Sequence, residues 1–517
     1  MDTSTDQPSA SLPRYPQSYW LVSADIPAFG KLTADLSVDV AIVGGGITGI
    51  TLAYLLAKEG KRVALLEAGK ILTGTTGHTT AKVTAQHGLI YDELIQTLGE
   101  EKARLYYDAN REALQFVRET VSGLGIACDW TEEDAYVYAA EEKNVKKIDR
   151  EWKAYGKLGI PGRREDRIPL PAGARAAVVM DGQARFHPTA YLARLVSAFT
   201  ASGGLVFEET TGRTVEHGSP FSKVVTEDGY RVTCRDVVSC SHFPFYGAGG
   251  FYFARMYVER SYALGISRTK EYPGGMYLSA DDPVRSIRSV SYNGEDLLII
   301  GGERHKTGQG ICTFKHYEAL EAFARETFGP AEIRYRWSAQ DYTTLDKIPY
   351  VGRPVKGERN AYIATGYRKW GMTNSAAAAL LLKDLILGVR NRYEKLYAPS
   401  RFHADPDVKT FLSLNADVAK HLAGGKLEWN RKEPEEVGPD EGAVVEVRGR
   451  RAGAYREPDG TLHLLDTTCT HMGCEVEWNA GERTWDCPCH GSRFSFRGEV
   501  LDGPAKKPLK AITAPTS

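Results

Sequence analysis

The first part of the chain contains short apolar runs separated by a segment of helical periodicity. Residues 39–43 form an apolar run that predicts a short buried strand. A helix is predicted over 51–59, and a second apolar run over 62–66 predicts another strand. This strand–helix–strand order predicts the start of a parallel sheet covered by helices.

The middle of the chain carries further signals of secondary structure. Residues 92–122 have helical periodicity, and another helix is predicted over 188–201. The run 205–208 predicts a strand that returns to the first sheet. Residues 231–239 and the aromatic run 243–262 suggest that the chain then crosses into an antiparallel sheet. Each aromatic residue of that run also fits simple core packing.

Towards the C-terminus the composition changes. Residues 399–439 are mostly polar and charged, which is typical of a linker, with a short helix predicted near 408–421. A linker of this length would let a C-terminal unit fold back over the larger one. The predicted division is an N-terminal segment 1–35, a large unit 36–395, a linker 396–432 and a small unit 433–517.

Composition narrows the class of protein. The chain has 517 residues, of which 42% are hydrophobic and 25% charged, and its net charge is −1. It can therefore fill two or three cores, and it has no general attraction to nucleic acid or anionic membranes. No apolar run reaches the roughly 20 residues of a membrane span, and the N-terminus lacks the basic start and apolar core of an export signal. We expect a cytoplasmic protein without a transmembrane segment.

Glycines follow the first predicted strand in a dinucleotide-binding pattern. Gly44, Gly46 and Gly49 match G-x-G-x-x-G, and Glu67 ends the second strand. Such glycines allow a tight turn and close approach of a pyrophosphate to a helix N-terminus, while the acidic residue holds a ribose. The neighbouring residues Ile47, Thr48 and Ala68 belong to the same expected binding segment. FAD and NAD share this pattern.

Two short clusters near the C-terminus pair cysteine with histidine. Cys469 and His471 form the first pair, and Cys487 and His490 form the second. This is the ligand set of a Rieske [2Fe–2S] cluster, in which two thiolates hold one iron and two imidazoles hold the other. A structural zinc site is the alternative, since zinc also takes cysteine and histidine. The sequence around both pairs favours the iron–sulfur cluster.

The large unit resembles the D-amino-acid oxidase (glycine oxidase) superfamily. The resemblance rests on the segment ATGYRKWGMTNS at 364–375, followed by an apolar helix that closes at Gly388, and on the run GTTGHTTAKVTAQHG at 74–88. It implies FAD as the cofactor, with the positive end of that helix facing the flavin. The further flavin-contacting residues that it implies are Thr79, Thr80, Lys82, Val215, Gly366, Tyr367, Gly371, Met372 and Thr373.

The C-terminal unit resembles high-potential Rieske proteins. This resemblance implies a disulfide between Cys474 and Cys489, and a covering proline loop over 503–509. Together the two units resemble a bacterial family of FAD-dependent oxidoreductases with a C-terminal Rieske domain. The fold class implied is an α/β FAD-binding Rossmann-like domain, an α+β substrate domain of antiparallel sheet, and a small all-β Rieske domain.

The combination of cofactors suggests a function. We expect an oxidoreductase that acts on CH–NH or CH–NH2 donors of an amine or amino-acid-like substrate. Electrons would pass singly through the cluster to an external acceptor such as a ferredoxin, a cytochrome or a quinone. The histidine ligands are expected to form a solvent-exposed exit edge. The candidate substrate-positioning residues are His242, Arg255, His305, Tyr367 and Arg368, each of which also fits an ordinary surface or structural role.

The same pair of cofactors also fits other functions. Electrons would flow in the opposite direction if the cluster were the input of a reductase, with the redox protein or quinone as donor. The Rieske domain would be structural or redox-sensing if the flavoprotein used dioxygen. A ring-hydroxylating oxygenase is disfavoured, because no paired histidines with a nearby carboxylate suggest its iron site.

One position predicts how the cluster potential is set. Ser492 matches the Rieske serine that donates to a cluster sulfur, but Phe494 stands where a tyrosine is usual. Hydrogen bonds to the sulfurs raise the potential, so their loss lowers it. We therefore expect Phe494→Tyr to raise the reduction potential in a titration followed by electron paramagnetic resonance (EPR). A lower potential in the variant would contradict this assignment.

Overall fold

The computed structural model describes residues 11–513 except 172, 248, 269–270, 311–312, 402–403 and 425–431, and it gives only the backbone of 404–410 and 423–424. Those parts of the predicted N-terminal segment, linker and C-terminal unit that fall at 1–10, 425–431 and 514–517 lie outside the described residues.

The helices and strands are numbered in chain order. The α-helices are α1 Tyr19–Val22, α2 Ile47–Lys58, α3 Tyr91–Leu98, α4 Glu100–Gly123, α5 Glu142–Leu158, α6 Pro188–Ala201, α7 Tyr252–Arg255, α8 Phe314–Phe328, α9 Gly371–Leu387, α10 Glu394–Tyr397 and α11 Ala404–Gly424. Two 3₁₀ turns cover Thr75–His78 and Pro434–Glu436.

The strands of the large unit are β1 Leu36–Ser37, β2 Val40–Val43, β3 Val63–Leu66, β4 Lys82–Val83, β5 Thr131–Ala139, β6 Arg163–Glu165, β7 Ala176–Arg185, β8 Leu205–Phe207, β9 Gly212–Glu216, β10 Ser222–Thr226, β11 Arg231–Cys234, β12 Asp236–Ser239, β13 Met256–Ser267, β14 Met276–Ser279, β15 Arg285–Tyr292, β16 Glu295–Lys306, β17 Ile333–Thr344, β18 Tyr350–Gly352 and β19 Ala361–Thr365. Those of the C-terminal unit are β20 Glu441–Val447, β21 Arg450–Arg456, β22 Leu462–Leu465, β23 Glu477–Asn479, β24 Thr484–Asp486, β25 Arg493–Ser495 and β26 Val500–Asp502.

The predicted parallel sheet is present, in the order β18-β19-β12-β2-β3-β8. Every residue of β2 and β3 is buried, as their uninterrupted apolar runs require of a sheet covered on both faces. The strand predicted at 205–208 pairs with β3 in parallel, which confirms that the chain returns to this sheet. The helix after β2 begins at Ile47 rather than at 51, because the last glycine of the turn already lies inside α2.

The structure differs in detail from two other predictions. The long helix predicted over 92–122 is interrupted at Gly99, whose φ of 85° ends α3 and precedes α4. The segment 231–239 is two strands in different sheets, since β11 joins a four-stranded sheet and β12 lies in the parallel sheet between β2 and β19. The crossing into the antiparallel sheet therefore occurs later, with β13.

A nine-stranded sheet forms the second layer of the large unit. Its path is β17-β13-β16-β15-β14-β5-β7-β4, with β6 paired to β7. Helix α8 packs on one face of β13 and β16. The C-terminal unit contains two small antiparallel sheets, β20-β21-β22 and β23-β24-β25-β26. Among the described residues, no helix combines the length and the apolarity that crossing a membrane requires.

The C-terminal unit packs directly on β13 and β17. Arg260 of β13 is fully buried and lies 3.9 Å from Asp486 and 4.0 Å from Glu482, both in the C-terminal unit. Arg336 of β17 donates to the carbonyl of Gly481 at 2.9 Å and to carbonyls of the N-terminal segment. Buried charges of opposite sign therefore hold the two units together.

We expect Arg260→Ala to lower the free energy of unfolding by about 3 kcal/mol, the lower end for a broken buried pair, because Asp486 keeps Arg493 and Glu482 keeps Tyr317 as partners. Urea unfolding followed by the visible circular dichroism of the C-terminal unit's chromophore would measure the loss. Arg268→Ala is the matched control, since Arg268 pairs with Asp296 at a half-exposed site and its loss should cost below about 1 kcal/mol. Equal effects of the two substitutions would show that the buried pairs do not hold the interface.

Candidate redox site

Two tight loops present the cysteine and histidine pairs. In the first loop, the amide of Cys469 donates to the carbonyl of Cys474 at 2.7 Å. In the second, the amide of Cys487 donates to the carbonyl of Ser492 at 2.8 Å. Gly491 has a φ of 72°, a conformation that glycine adopts without strain. Each loop therefore folds back on itself and points its cysteine and histidine in one direction.

The two pairs converge on one point. The ring centroids of His471 and His490 are 5.0 Å apart, and Cys469 and Cys487 are buried with their thiols in hydrogen-bond contact. That contact lowers the pKa of Cys469 and raises that of Cys487, so the two thiols titrate as a coupled pair. The Nδ1 atom of His490 is buried and has no hydrogen-bond partner among the described residues, which fits a nitrogen reserved for a metal. The four residues fit a Rieske cluster.

The disulfide and the proline loop next to the four ligands match those that the sequence implies. Cys474 and Cys489 form a disulfide between the two ligand loops, as predicted. The sulfurs of Cys474, Cys487 and Cys489 lie within 4.8 Å of one another, and of these three only Cys487 is outside the disulfide and free to bind a metal. The amide of Ala505 donates to the hydroxyl of Ser492 at 3.1 Å, which holds the proline loop over the site.

The histidine edge is less exposed than expected. His490 is only 7% exposed, whereas His471 is half-buried. The ring of Phe253 from α7 lies 5.2 Å from His471 and 5.3 Å from His490, in edge-to-face contacts. The prediction that both ligands reach solvent is therefore wrong for His490, because a residue of the large unit covers it.

The glycine-rich turn has the close contacts of a dinucleotide site. A Cβ on Gly44 would lie 2.4 Å from the carbonyl oxygen of Cys240, and one on Gly49 would lie 2.0 Å from the carbonyl oxygen of Gly44. Only glycine fits either position. The amide of Ile47, at the start of α2, donates to the hydroxyl of Thr76 at 3.0 Å. Gly46 precedes α2, so the first amides of the helix point towards the expected pyrophosphate.

Glu67 lies at the end of β3, beside this turn. Its carboxylate accepts hydrogen bonds from the amides of Gly45 at 2.7 Å and Gly69 at 2.9 Å. Burial raises the pKa of Glu67, and these amides oppose the shift. Ala68 follows it, and Val215 of β9 is buried in a cluster with residues of β2 and β3. The residues expected at the adenosine end therefore lie at one edge of the parallel sheet.

The two segments expected along the flavin meet at the N-termini of α2 and α9. The hydroxyl of Thr48 donates to the hydroxyl oxygen of Tyr367 at 3.0 Å, and that of Thr373 donates to the carbonyl of Thr84 at 2.8 Å. Gly371 and Met372 begin α9. Gly366 has a φ of 81°, and a Cβ there would lie 2.5 Å from Thr344. The residues present fit FAD.

Contacts with α1 and with the nine-stranded sheet hold the neighbouring segment 79–82 in place. The carbonyl of Thr79 accepts from the indole of Trp20 at 2.7 Å, and that of Thr80 accepts from the buried Arg288. Lys82 donates to the carbonyl of Tyr277 at 2.9 Å, and burial, assisted by Arg288, lowers its pKa to about 7. Lys82 therefore loses its charge readily near neutral pH.

The five candidate substrate-positioning residues lie in different parts of the structure. Tyr367 and Arg368 lie in the flavin segment, where Arg368 donates to the carbonyl of His87 at 3.1 Å. His242 lies 3.3 Å from Asp502 of the C-terminal unit. Arg255 donates to the carbonyl of Pro399 at 2.6 Å and stacks on Tyr350, and His305 stacks on His316 beneath α8.

Some residues of this site were not singled out from the sequence. His87 stacks on Trp370 at 4.9 Å, and its Nε2 atom lies 3.0 Å from the hydroxyl of Thr373. Burial lowers the pKa of His87 to about 3, so the imidazole is neutral where it supports the start of α9. The position of His87 in the run 74–88 was the only available signal, because its partner Trp370 is distant in sequence.

Strand β17 lies between the two parts of the site. Arg336 and Gln340 point to the C-terminal unit, where Gln340 donates to the carbonyl of Gly491 at 2.8 Å. The alternate residues point to the flavin side, because Trp337 donates to the carbonyl of His78 at 3.0 Å and Asp341 pairs with Lys369 at 3.3 Å. Alternation along one strand thus places the cluster loops and the flavin segments on its two faces.

Comparisons with known proteins agree with this arrangement. The family model "DAO: FAD dependent oxidoreductase" matches residues 39–385, and the Rieske [2Fe-2S] domain model matches 430–513. The putative Rieske 2Fe-2S iron-sulfur protein YhfW of Bacillus subtilis is 51% identical over 96% of this chain and 97% of its own length.

Some more distant relatives cover nearly three quarters of this chain. The gamma-glutamylputrescine oxidoreductase of Escherichia coli is 24% identical over 73% of this chain and 90% of its own length. The crystal structure of glycine oxidase from Geobacillus kaustophilus superposes with a TM-score of 0.60 at 20% identity, covering 71% of this chain and 99% of that one. The chain therefore belongs to the DAO family of FAD-dependent oxidoreductases and carries a C-terminal Rieske domain, with FAD and a [2Fe–2S] cluster as its cofactors.

Proposed function

We propose that this protein oxidises an amine or amino-acid-like substrate and passes the electrons singly through its Rieske cluster to an external acceptor. One observation carries the proposal: the cluster loops and the flavin segments lie on opposite faces of the same strand, β17. Bound FAD supplies acceptance of a hydride, and the cluster supplies one-electron transfer. Their joint presence suits the conversion of one two-electron oxidation into two one-electron steps.

Direct contacts join the cluster loop to the large unit. Gln340 binds the carbonyl of Gly491, which adjoins the ligand His490, and its amide also reaches Asp502 at 3.1 Å. His242 binds Asp502 from the flavin side, and its ring contacts Tyr342 at 4.7 Å. These contacts fix the cluster loop against β17, so that no diffusional step of the Rieske domain is needed between the two centres.

The substrate class is supported by the flavin segment and by one relative. Arg368 places a guanidinium beside the start of α9, where it would pair with a carboxylate of the substrate in two-point fashion. A related oxidoreductase is named for gamma-glutamylputrescine, an amine. We therefore propose a CH–NH or CH–NH2 donor. His242, Arg255 and His305 have structural contacts that make them weaker candidates for binding it.

Anaerobic stopped-flow of the holoprotein against a panel of amines and amino acids tests the proposal. We expect one compound class to bleach the flavin, followed by the EPR signal of the reduced cluster. Flavin bleaching with a silent cluster would contradict the proposed path and favour an oxidase with an appended Rieske domain. Cluster reduction by a donor protein followed by flavin reduction, with no active amine, would indicate the reverse direction.

His471→Ala should abolish the Rieske EPR signal while FAD remains bound, because one of the four iron ligands is lost. Substrate should still bleach the flavin in this variant. His463→Ala is the matched control, since His463 lies in the same domain on β22 and pairs with Glu457. An intact signal in His471→Ala would refute the ligand assignment.

Glu67→Ala should weaken FAD binding about tenfold or more, because one hydrogen bond to a charged group contributes about 1.5–3 kcal/mol. Fluorescence titration of the apoprotein with FAD would measure the change. Glu59→Ala removes an exposed carboxylate at the end of α2 and should leave the affinity unchanged. Equal affinities of the two variants would argue against a ribose contact at Glu67.

A further inference from the structure

The two histidine ligands differ in their exposure to solvent. His490 is buried beneath Phe253, whereas His471 is half-buried and continues into Met472, whose side chain is 49% exposed. Within the described residues, the histidine pair therefore approaches solvent through the loop that carries His471 and Met472.

Apolar side chains surround this opening. The ring of Phe253 contacts His471 at 5.2 Å and also contacts Phe251 at 6.1 Å. Phe251 is 66% exposed, which is unusual for a phenylalanine of a folded protein. Phe251, Phe253, His471 and Met472 thus form a continuous surface across both units, which we call the apolar centre. Apolar patches rimmed by polar residues mark interaction sites.

The rim of the apolar centre is basic. The hydroxyl of Thr470 donates to the carbonyl of Lys507 at 2.6 Å, so the proline loop lies beside the loop of His471. Lys506, Lys507 and Lys510 are all exposed. Segments 466–473 and 503–513 together contain these three lysines and one carboxylate, Asp466.

The segment of the large unit that carries Phe251 and Phe253 adds no carboxylate, and Asp417 of α11, which lines a cavity with Phe253, is paired with Lys306 at 2.9 Å. The segment 243–256 contains Arg255 and no acidic residue, and Lys506 donates to the carbonyl of Phe245 within it at 2.8 Å. The whole chain has a net charge of −1, so this surface departs from the average of the protein. Positive charge around an apolar contact area attracts and orients an acidic partner.

We propose that the apolar centre and its lysine rim dock a small acidic protein that carries a one-electron centre. This inference rests on the proposed function, to which it adds the acceptor. The reduced cluster loses one electron, and the oxidised centre of the partner gains it, with no atom or proton exchanged. Two such encounters remove the electron pair of one substrate, and the potential of the partner must lie above that of the cluster.

The test measures electron transfer to a defined probe, an acidic blue-copper protein in its oxidised form. The cluster of the full-length holoprotein is first reduced with dithionite, so that the assay does not depend on a substrate. The same blue-copper protein with its surface carboxylates amidated is the second probe. We expect the acidic probe to react at least about tenfold faster at low salt, and added salt to remove the difference.

Variants locate the effect on the protein. Lys507→Glu combined with Lys510→Glu should lower the second-order rate with the acidic probe about tenfold, and leave the EPR signal unchanged. Lys146→Glu combined with Lys147→Glu, two exposed residues of α5, makes the same change in net charge away from the cluster and should have little effect. Phe251→Ala should also lower the rate, with its salt dependence retained.

Each contrary result has a distinct meaning. Equal rates for the rim variant and the α5 variant, or faster reaction of the amidated probe, would overturn the docking surface. Reaction of a neutral quinone alone, at a rate indifferent to both charge changes, would overturn it in favour of a small acceptor. If the probe reacts as expected but no substrate reduces the cluster, the docking surface stands and the proposed function fails.

Discussion

The buried ionic contact between β13 and the Rieske domain is the constraint on which the rest of this structure depends. Arg260 is fully buried and pairs with Glu482 and Asp486 of the other unit, where Arg493 also pairs with Asp486. Burying one of these charges without a partner would cost several kcal/mol, so their pairing stabilises the contact between the two units. Arg336 adds neutral carbonyl partners from both the Rieske domain and the N-terminal segment. A stabilising interface of this kind also fixes the relative positions of the segments expected to hold the two cofactors.

Strand β17 contacts both the cluster loops and the flavin segments. Because side chains of a strand alternate between its faces, one strand can bind the cluster loops through Gln340 and the flavin segments through Trp337 and Asp341. A shift of one residue in its pairing with β13 would exchange these faces and break both sets of contacts. The register observed, with Gln340 opposite Arg260, places the polar side chains that bind the Rieske domain next to each other. The packing of the two units and the proposed electron path thus depend on the same residues.

Local patterns in the sequence identify the two cofactors, but not how the segments expected to hold them lie relative to one another. The turn at Gly44–Gly49 and the two Cys/His loops are short segments whose chemistry is complete within a few residues, and the predicted disulfide is present. The predicted start of α2, at residue 51, is later than the observed start at Ile47, because the prediction assigns the glycines to the turn alone. The contacts of Arg260, the burial of His490 and the orientation of His242 towards Asp502 join residues far apart in sequence. The hydrophobic periodicity of the sequence does not indicate such contacts.

The most direct test of this account is flash photoreduction of the flavin in the full-length protein, with cluster reduction followed in time. Centres fixed on two faces of one strand exchange electrons within a single chain. The account therefore predicts first-order cluster reduction, at a rate that stays constant over about a hundredfold range of protein concentration. A rate proportional to protein concentration, or a cluster that stays oxidised while the flavin is reduced, would contradict it.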